Sequence, residues 1–257
     1  MVLKSINILK IFNNQLKMKQ ETSISKILPV LFGFFIVGFV DLVGIATNYV
    51  KQDFALSDTV ANMLPMTLFL WFGILSVPTG MIMNRLGRKN TVLLSMGITL
   101  MAMVLPLLSY SFPMILVAFG LLGIGNTLIQ VALNPLLTNV VRGDRLTSSL
   151  TLGQFIKAVA AFLGPIIAGF AASKFGDWKY IFMVFVFITV LSGVWLFFTQ
   201  IHEQAVSQNT SSFADSFGLL KDRTILMLFL GIVFVVGIGL FVVQCLKIER
   251  GIIPDII

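Results

Sequence analysis

Two ionisable side chains, Asp41 and Lys157, lie inside long apolar segments of this sequence. Asp41 is the only carboxylate within those segments, and a charge at the centre of a membrane helix costs about 2.5–3.5 kcal/mol on insertion scales. Such a group normally faces a water-filled cavity and marks an ion or proton path. We therefore interpret Asp41 as a proton-binding carboxylate or as an acceptor for substrate hydroxyls. The alternative is a structural hydrogen-bond acceptor near the outer surface.

Lys157 is the only lysine in the interior of the apolar segments. At 1.5 Å per residue, it lies about 14 Å from the inner end of its helix and Asp41 roughly 20 Å from the inner end of its own. A long side chain can bridge that difference, so we expect a cavity-lining ion pair that protonation or substrate breaks. The alternative is a lysine that snorkels toward the inner interface. Gln154, three residues earlier, shares the face of Lys157.

Three carboxamides, Asn126, Gln130 and Asn134, recur at intervals of four residues. This spacing places them in one stripe on a helix. Amides both donate and accept hydrogen bonds, which suits sugar hydroxyls. The alternative is bonding between helices, worth only about 0.6 kcal/mol per bond in membranes. Pro135 removes a backbone donor and is expected to kink the helix beside the stripe.

The elements that must position these groups are membrane helices. The chain is 57% hydrophobic and 11% charged, against about 25% charged in soluble domains. Backbone groups in lipid must be satisfied within the segment, and the runs do not alternate as barrel strands would. The predicted fold is an all-α polytopic membrane protein, with spans at 27–49, 61–83, 91–109, 113–140, 149–172, 179–199 and 224–245.

The positive charges predict the orientation of these spans. The net charge is +7, and twelve of the 18 basic residues fall on one side of the predicted spans, while five fall on the other. Because positive charge gathers in short cytoplasmic loops, the N-terminus is predicted to be cytoplasmic in a multi-pass inner-membrane protein. This placement explains the charge without a nucleic-acid partner.

A short motif recurs in the sequence. The conformational loop Gly80–Lys89 reads G-M-I-M-N-R-L-G-R-K, and an offset of 89 residues places it on Gly169–Gly176 with the pattern G-x-x-x-S-K-x-G. The two copies fall on opposite sides of the membrane, as an inverted three-span repeat requires. The loop is expected to fix topology, or to hold neighbouring helix ends and stabilise one conformation. Its key positions are Gly80, Asn84, Arg85, Gly87, Arg88 and Lys89.

The Gly80–Lys89 loop resembles the loop between spans two and three of the major facilitator superfamily of transporters. Four further segments resemble the fucose permease group of fucose–proton symporters, which includes glucose/galactose carriers: 38–41, 131–135, 142–146 and 152–158. The resemblance implies a six-helix bundle of two inverted repeats, plus one further helix. It also implies proton-coupled uptake of a hexose by alternating access, with spans one, four and five lining the cavity.

The sequence departs from that family pattern at several positions. Gln130 stands where the fucose carriers have a glutamate, and Lys157 where an asparagine is expected; Asn84 replaces an aspartate. Gln154 matches a cavity glutamine, and Asp41 lies close to the family's span-one carboxylate. We therefore expect Asp41 with Lys157 to replace the coupling group of span four.

The predicted domains are a cytoplasmic basic tail at 1–25, a six-span transporter half at 26–199, a cytoplasmic linker at 200–223, and a seventh span with a truncated end at 224–257. Facilitator transporters use two six-span halves, so a C-terminally truncated product that transports nothing by itself is expected. Either Met1 or Met18 is the true start.

The expected partners are a small sugar, a proton and the lipid bilayer, and no cofactor or metal is expected. His202 has no ligating neighbours, and there is no phosphate-binding glycine loop, so ATP-driven transport is not supported and the protein is predicted not to be an enzyme. One alternative is a facilitator-type carrier of another solute, such as a drug or organic anion. A seven-span receptor or sensor is a remote alternative, because span seven lacks a polar group before Gln244.

Overall fold

The computed structural model describes residues 24–141, 145–201, 203, 218, 221–231, 234 and 238. The chain divides into two compact units, Met1–Gln208 and Asn209–Ile257. In the second unit, residues 223–231 are helical. The helices of the first unit are α1 (Ile24–Val40), α2 (Val43–Asp53), α3 (Asp58–Ala61), α4 (Met63–Leu86), α5 (Arg88–Leu108), α6 (Phe112–Val140), α7 (Arg145–Phe175) and α8 (Tyr180–Phe198).

Six helical segments in the described residues are long and apolar enough to cross a membrane. Spans 1 to 6 are Ser25–Asp53, Asp58–Leu86, Arg88–Leu108, Phe112–Val140, Arg145–Phe175 and Tyr180–Phe198. They confirm the first six predicted spans, with ends that differ from the predicted ones by at most four residues. The seventh predicted span, 224–245, lies partly outside the described residues.

Spans 1 and 4 form the centre of the bundle. About two thirds of the apolar window of each is buried, 67% and 61%, against 17% and 22% for spans 2 and 5. Span 1 packs on span 5 and span 4 packs on span 2, while span 3 packs on both spans 4 and 6. If spans 1, 2 and 3 correspond to spans 4, 5 and 6, the pairing of span 1 with span 5 corresponds to that of span 4 with span 2. Both pairings are present, as expected for an inverted repeat.

Glycines set the close crossings in both repeats. A Cβ at Gly38 would lie 2.3 Å from the Lys157 backbone oxygen, and one at Gly123 would lie 2.6 Å from the Leu68 backbone oxygen. Such crossings bring main chains into van der Waals contact, which is how membrane helices associate without a hydrophobic driving force. The span 1–5 crossing therefore fixes Lys157 against span 1.

The connection between spans 2 and 3 is shorter than the predicted spans 61–83 and 91–109 imply. The helix of span 2 runs to Leu86 and that of span 3 begins at Arg88, so only Gly87 is non-helical. Gly87 has φ 86° and Gly176 has φ 71°, and these are the only glycines with positive φ among the described residues. Both occupy matched positions of the predicted repeat, where glycine allows a reversal that other residues resist. We call the two bundle ends the Gly87 end and the Gly176 end.

Candidate functional site

Asp41 lies at a break in span 1, which the sequence analysis did not predict. Helix α1 ends at Val40 and α2 begins at Val43. At the break, each backbone hydrogen bond spans three residues instead of four. The Asp41 N–H donates to the Gly38 oxygen, and the Leu42 N–H donates to the Phe39 oxygen. The carboxylate therefore projects from a turn near the midpoint of the 29-residue span, which argues against the alternative of an acceptor near the membrane surface.

Lys157 faces this break. Its Nζ lies 4.0 Å from Asp41 Oδ2, and the side chains are 25% and 49% exposed, respectively. Lys157 is 12 residues into span 5, which begins at Arg145, or about 18 Å along the helix. The lysine is thus directed toward a carboxylate near the midpoint of span 1. Both side chains are partly exposed in the described bundle.

The carboxamide stripe of span 4 is graded in exposure. Asn126 is buried and its Oδ1 accepts a hydrogen bond from Gln130 Nε2 at 3.1 Å. Gln130 is half-buried and Asn134 is exposed. Asn126 is therefore a fixed partner that orients Gln130, and the open positions are Gln130 and Asn134. Pro135 lies within the continuous helix Phe112–Val140.

Packing contacts give the relative depth of these amides. Leu133 packs against Gly33 of span 1, and Phe34 packs against Gly153 of span 5. Asn134 and the exposed Gln154 follow Leu133 and Gly153 directly in sequence, so both lie at the level of residues 33–34. By the helical rise, Asp41 lies about 10 Å and Lys157 about 5 Å further from the Gly87 end. The predicted site residues thus lie at successive depths along the bundle axis and do not form a single cluster.

The Gly87 end is held by Arg88 and Lys89. Arg88 Nη1 donates to the backbone oxygen of Pro135 at 3.0 Å and to Asn139 Oδ1 at 2.6 Å. Lys89 Nζ donates to the backbone oxygens of Phe197 and Thr199, both at 2.9 Å. Basic groups at the carbonyl ends of helices satisfy otherwise unpaired acceptors. These two residues therefore hold the ends of spans 4 and 6.

Glu203 completes this arrangement, although its position lay in the predicted solvated linker. Its Oε2 accepts from the Arg88 N–H at 2.7 Å and its Oε1 from the Lys89 N–H at 2.5 Å. A carboxylate at a helix N-terminus pairs unsatisfied donors and complements the helix dipole. The acidic charge just after an apolar run was the only sequence signal for this cap.

Among the described contacts, the remaining predicted loop residues do not hold any helix end. Asn84 and Arg85 are exposed within the last turn of span 2, and a Cβ at Gly80 would meet nothing within 4 Å. Within the part of the chain that the structure describes, Gly80 makes no close contact, and the contacts that hold helix ends come from the Gly87–Lys89 part of the motif.

A second polar cluster lies at the Gly176 end and was not predicted. Trp178 Nε1 donates to Asp53 Oδ2 at 2.9 Å, and the Tyr110 hydroxyl donates to the same oxygen. Trp178 also stacks on Tyr49 with ring centroids 5.1 Å apart. Burial raises the pKa of the Tyr110 phenol, and its bond to Asp53 raises it further, so Tyr110 remains a donor. The cluster joins the end of span 1 to the 3–4 and 5–6 connections.

The fold and the site define a class: a polytopic helical bundle built from an inverted repeat, with a partly exposed ion pair near the middle of spans 1 and 5. Residues 30–251 match the Major Facilitator Superfamily model, and the chain belongs to that family. A curated relative, the glucose/galactose transporter of Brucella abortus, is 27% identical over 137 residues, which cover 52% of this chain and 33% of the relative.

Solved structures of the same fold come from carriers of different solutes. The E. coli fucose:proton symporter superposes with a TM-score of 0.60 at 15% identity, covering 79% of this chain and 57% of that one. A structure of proton-dependent oligopeptide transporters gives a TM-score of 0.60 at 16% identity, covering 86% and 54%. The chain thus spans about half the length of these structures and a third of the curated relative.

Proposed function

We propose that this protein is a proton-coupled carrier of a hexose-type sugar of the fucose, glucose or galactose class, and that it works by alternating access. The observation that carries the proposal is the Asp41–Lys157 pair, at 4.0 Å near the centre of two spans. A charge at that depth is normally retained for an ion or proton path. The membrane is the inner membrane, with the N-terminus in the cytoplasm.

The pair provides a simple coupling step. With Asp41 ionised, Lys157 compensates its charge; when a proton binds to Asp41, the attraction is lost and the ammonium of Lys157 is free to bond elsewhere. Sugar hydroxyls are suitable acceptors for the released ammonium, and their donors match the amide oxygens of Gln130 and Asn134. Gln154 offers a further amide on the same wall. Proton and sugar thus favour each other's binding through Lys157.

The proposed substrate class rests on the curated relative and not on the fold. The same bundle superposes on both a fucose carrier and oligopeptide carriers with equal scores. The sequence similarity to the glucose/galactose transporter of Brucella abortus and the sugar-compatible amides favour a hexose. The alternative solutes are drugs and organic anions.

The test is accumulation of radiolabelled hexose driven by an inward proton gradient in cells that express a full-length transporter containing these residues, since the chain by itself is expected to transport nothing. Asp41→Asn is expected to abolish accumulation against the gradient, because the side chain no longer takes up a proton, while exchange of internal for external sugar persists. Asp58→Asn is the matched control, since Asp58 is an exposed carboxylate paired with Lys51 at 2.5 Å, and it should leave accumulation unchanged.

Three outcomes would decide against parts of the proposal. Full accumulation by Asp41→Asn would remove that carboxylate from coupling. Saturable uptake of an organic anion or drug in place of hexose would replace the substrate class. If Asp41→Asn prevents assembly, Asp41→Asn with Lys157→Gln removes the unpaired charge, and coupling that survives in that double variant would contradict the proposed role of the pair.

A further inference from the structure

A groove of about 230 Å³ opens at the Gly176 end, between the end of span 3 and the start of span 6. It is separate from the Asp41–Lys157 site and has no part in the proposed coupling. Its walls combine two tyrosines and a pair of opposite charges with apolar side chains. The lining residues are Pro106, Leu107, Tyr110, Asp177, Lys179, Tyr180 and Met183.

The polar part of the groove is zwitterionic. Lys179 Nζ lies 3.0 Å from Asp177 Oδ2 and 4.2 Å from the centroid of the Tyr110 ring. The two charged side chains are each about one third exposed, so each retains a side open to a ligand. Exposed ion pairs of this kind contribute little to stability by themselves, so the pair can open readily to admit a ligand. A ligand with adjacent opposite charges would match both groups.

Beyond the groove, spans 3 and 6 both expose apolar side chains, and Met183 belongs to the groove as well as to the exposed face of span 6. Span 6 exposes Met183, Phe187, Val190 and Val194 at intervals of three or four residues, which places them on one helix face. Span 3 exposes Leu94, Met101 and Leu108 at intervals of seven. The stripe from Met183 to Val194 is about 16 Å long, close to half of the roughly 30 Å hydrocarbon thickness. The acyl chain of a lipid in one leaflet is therefore long enough to cover this stripe.

We propose that this groove binds the headgroup of a zwitterionic phospholipid with a primary amine, of the phosphatidylethanolamine type, in the leaflet at the Gly176 end. The lipid phosphate contacts Lys179, its ammonium donates to Asp177, and its acyl chains lie along the span 3 and span 6 stripes. Tyrosines and lysine suit the interface depth that this requires. A purely anionic headgroup would meet the Asp177 carboxylate, and a water-soluble ligand would leave the apolar stripes unused.

A headgroup series tests the proposal without altering the protein. The purified chain is equilibrated with equal amounts of phosphatidylethanolamine, its mono-, di- and trimethylated derivatives and phosphatidylglycerol, and retained lipid is counted by native mass spectrometry. Retention should fall about fivefold from the primary amine to the trimethylated headgroup, which cannot donate to Asp177. Phosphatidylglycerol should be retained no better than the trimethylated lipid.

Protein variants then locate the site. Asp177→Asn with Lys179→Gln should lower phosphatidylethanolamine retention to that of the trimethylated lipid. Lys174→Gln, at an exposed lysine in the last turn of span 5 outside the groove, should match the unmodified protein. Equal retention across the methylation series, preferential retention of phosphatidylglycerol, or undiminished retention by the double variant would each overturn the proposal. The lipid series decides the matter even if the double variant does not fold.

Discussion

The Gly87 and Gly176 ends of the bundle carry out the same task with different chemistry. At the Gly87 end, Arg88 contacts the end of span 4 and Lys89 the end of span 6. At the Gly176 end, Trp178 contacts the end of span 1 and Lys179 the Tyr110 ring just after span 3. Spans 1 and 3 are the repeat partners of spans 4 and 6, so the repeat preserves which helix ends are joined.

The repeat extends to single positions. Lys89 bonds to the Thr199 oxygen, and an offset of 89 residues relates this pair to Trp178 and Tyr110, whose ring centroids lie 6.5 Å apart. What differs is the type of bond. The Gly87 end uses main-chain carbonyls and a carboxylate cap, whereas the Gly176 end uses an aromatic cluster around Asp53. Placement of helix ends is thus a property of the backbone repeat, and the side chains that hold them are interchangeable.

The largest difference between the two ends is expected from replacing their glycines. At Gly87, with φ 86° and ψ 161°, a Cβ is both strained and only 2.7 Å from Glu203 Oε2, while a Cβ at Gly176 meets nothing within 4 Å. Gly87→Ala should destabilise the bundle by about 3 kcal/mol and Gly176→Ala by about 1 kcal/mol. Unfolding by SDS titration measures both.

A double-mutant cycle separates strain from overlap at Gly87. In the Glu203→Ala background the alanine at position 87 no longer meets the carboxylate, so only the backbone strain remains. The loss caused by Gly87→Ala should then fall by about 1 kcal/mol. An unchanged loss would show that Glu203 does not restrict this position.

The next difference concerns the side chains that hold the helix ends. Arg88→Lys removes the planar group that reaches Pro135, Thr138 and Asn139 together and should lower the free energy of unfolding by about 2 kcal/mol. Trp178→Phe keeps the ring and removes one hydrogen bond to Asp53, for a loss of about 1 kcal/mol. Arg85→Lys, in the same loop and exposed, is the control and should change little. Equal losses for all three variants would contradict this ranking.

How much the sequence predicts differs between these features for physical reasons. Six spans and the rare intramembrane charges at Asp41 and Lys157 are predictable, because apolar length and isolated charges are local signals. The repeat is visible because glycines with positive φ are hard to replace.

The partners that form the two clusters were not predictable, although the loop at Arg88 and Lys89 was a candidate for holding helix ends. Glu203 bonds to a residue 115 positions away, and Trp178 to one 125 positions away. Before folding, each is an ordinary polar or aromatic residue beside an apolar run. The break at Asp41 was also missed, since no proline or glycine marks the turn itself. Long-range pairing therefore supplies what local patterns leave out.

The smallest expected difference is a pH dependence confined to the Gly176 end. Burial and the Asp53 bond raise the pKa of Tyr110 above its ordinary value, so folding favours the neutral phenol. That contribution is complete below the unfolded pKa of about 10 and is lost as pH rises above it. Tyr110→Phe should therefore cost about 1 kcal/mol or less at pH 7, with the difference constant from pH 6 to 9. Above pH 10 the parent protein should lose stability faster than the variant in SDS titrations, and parallel profiles would show that Asp53 does not hold this phenol.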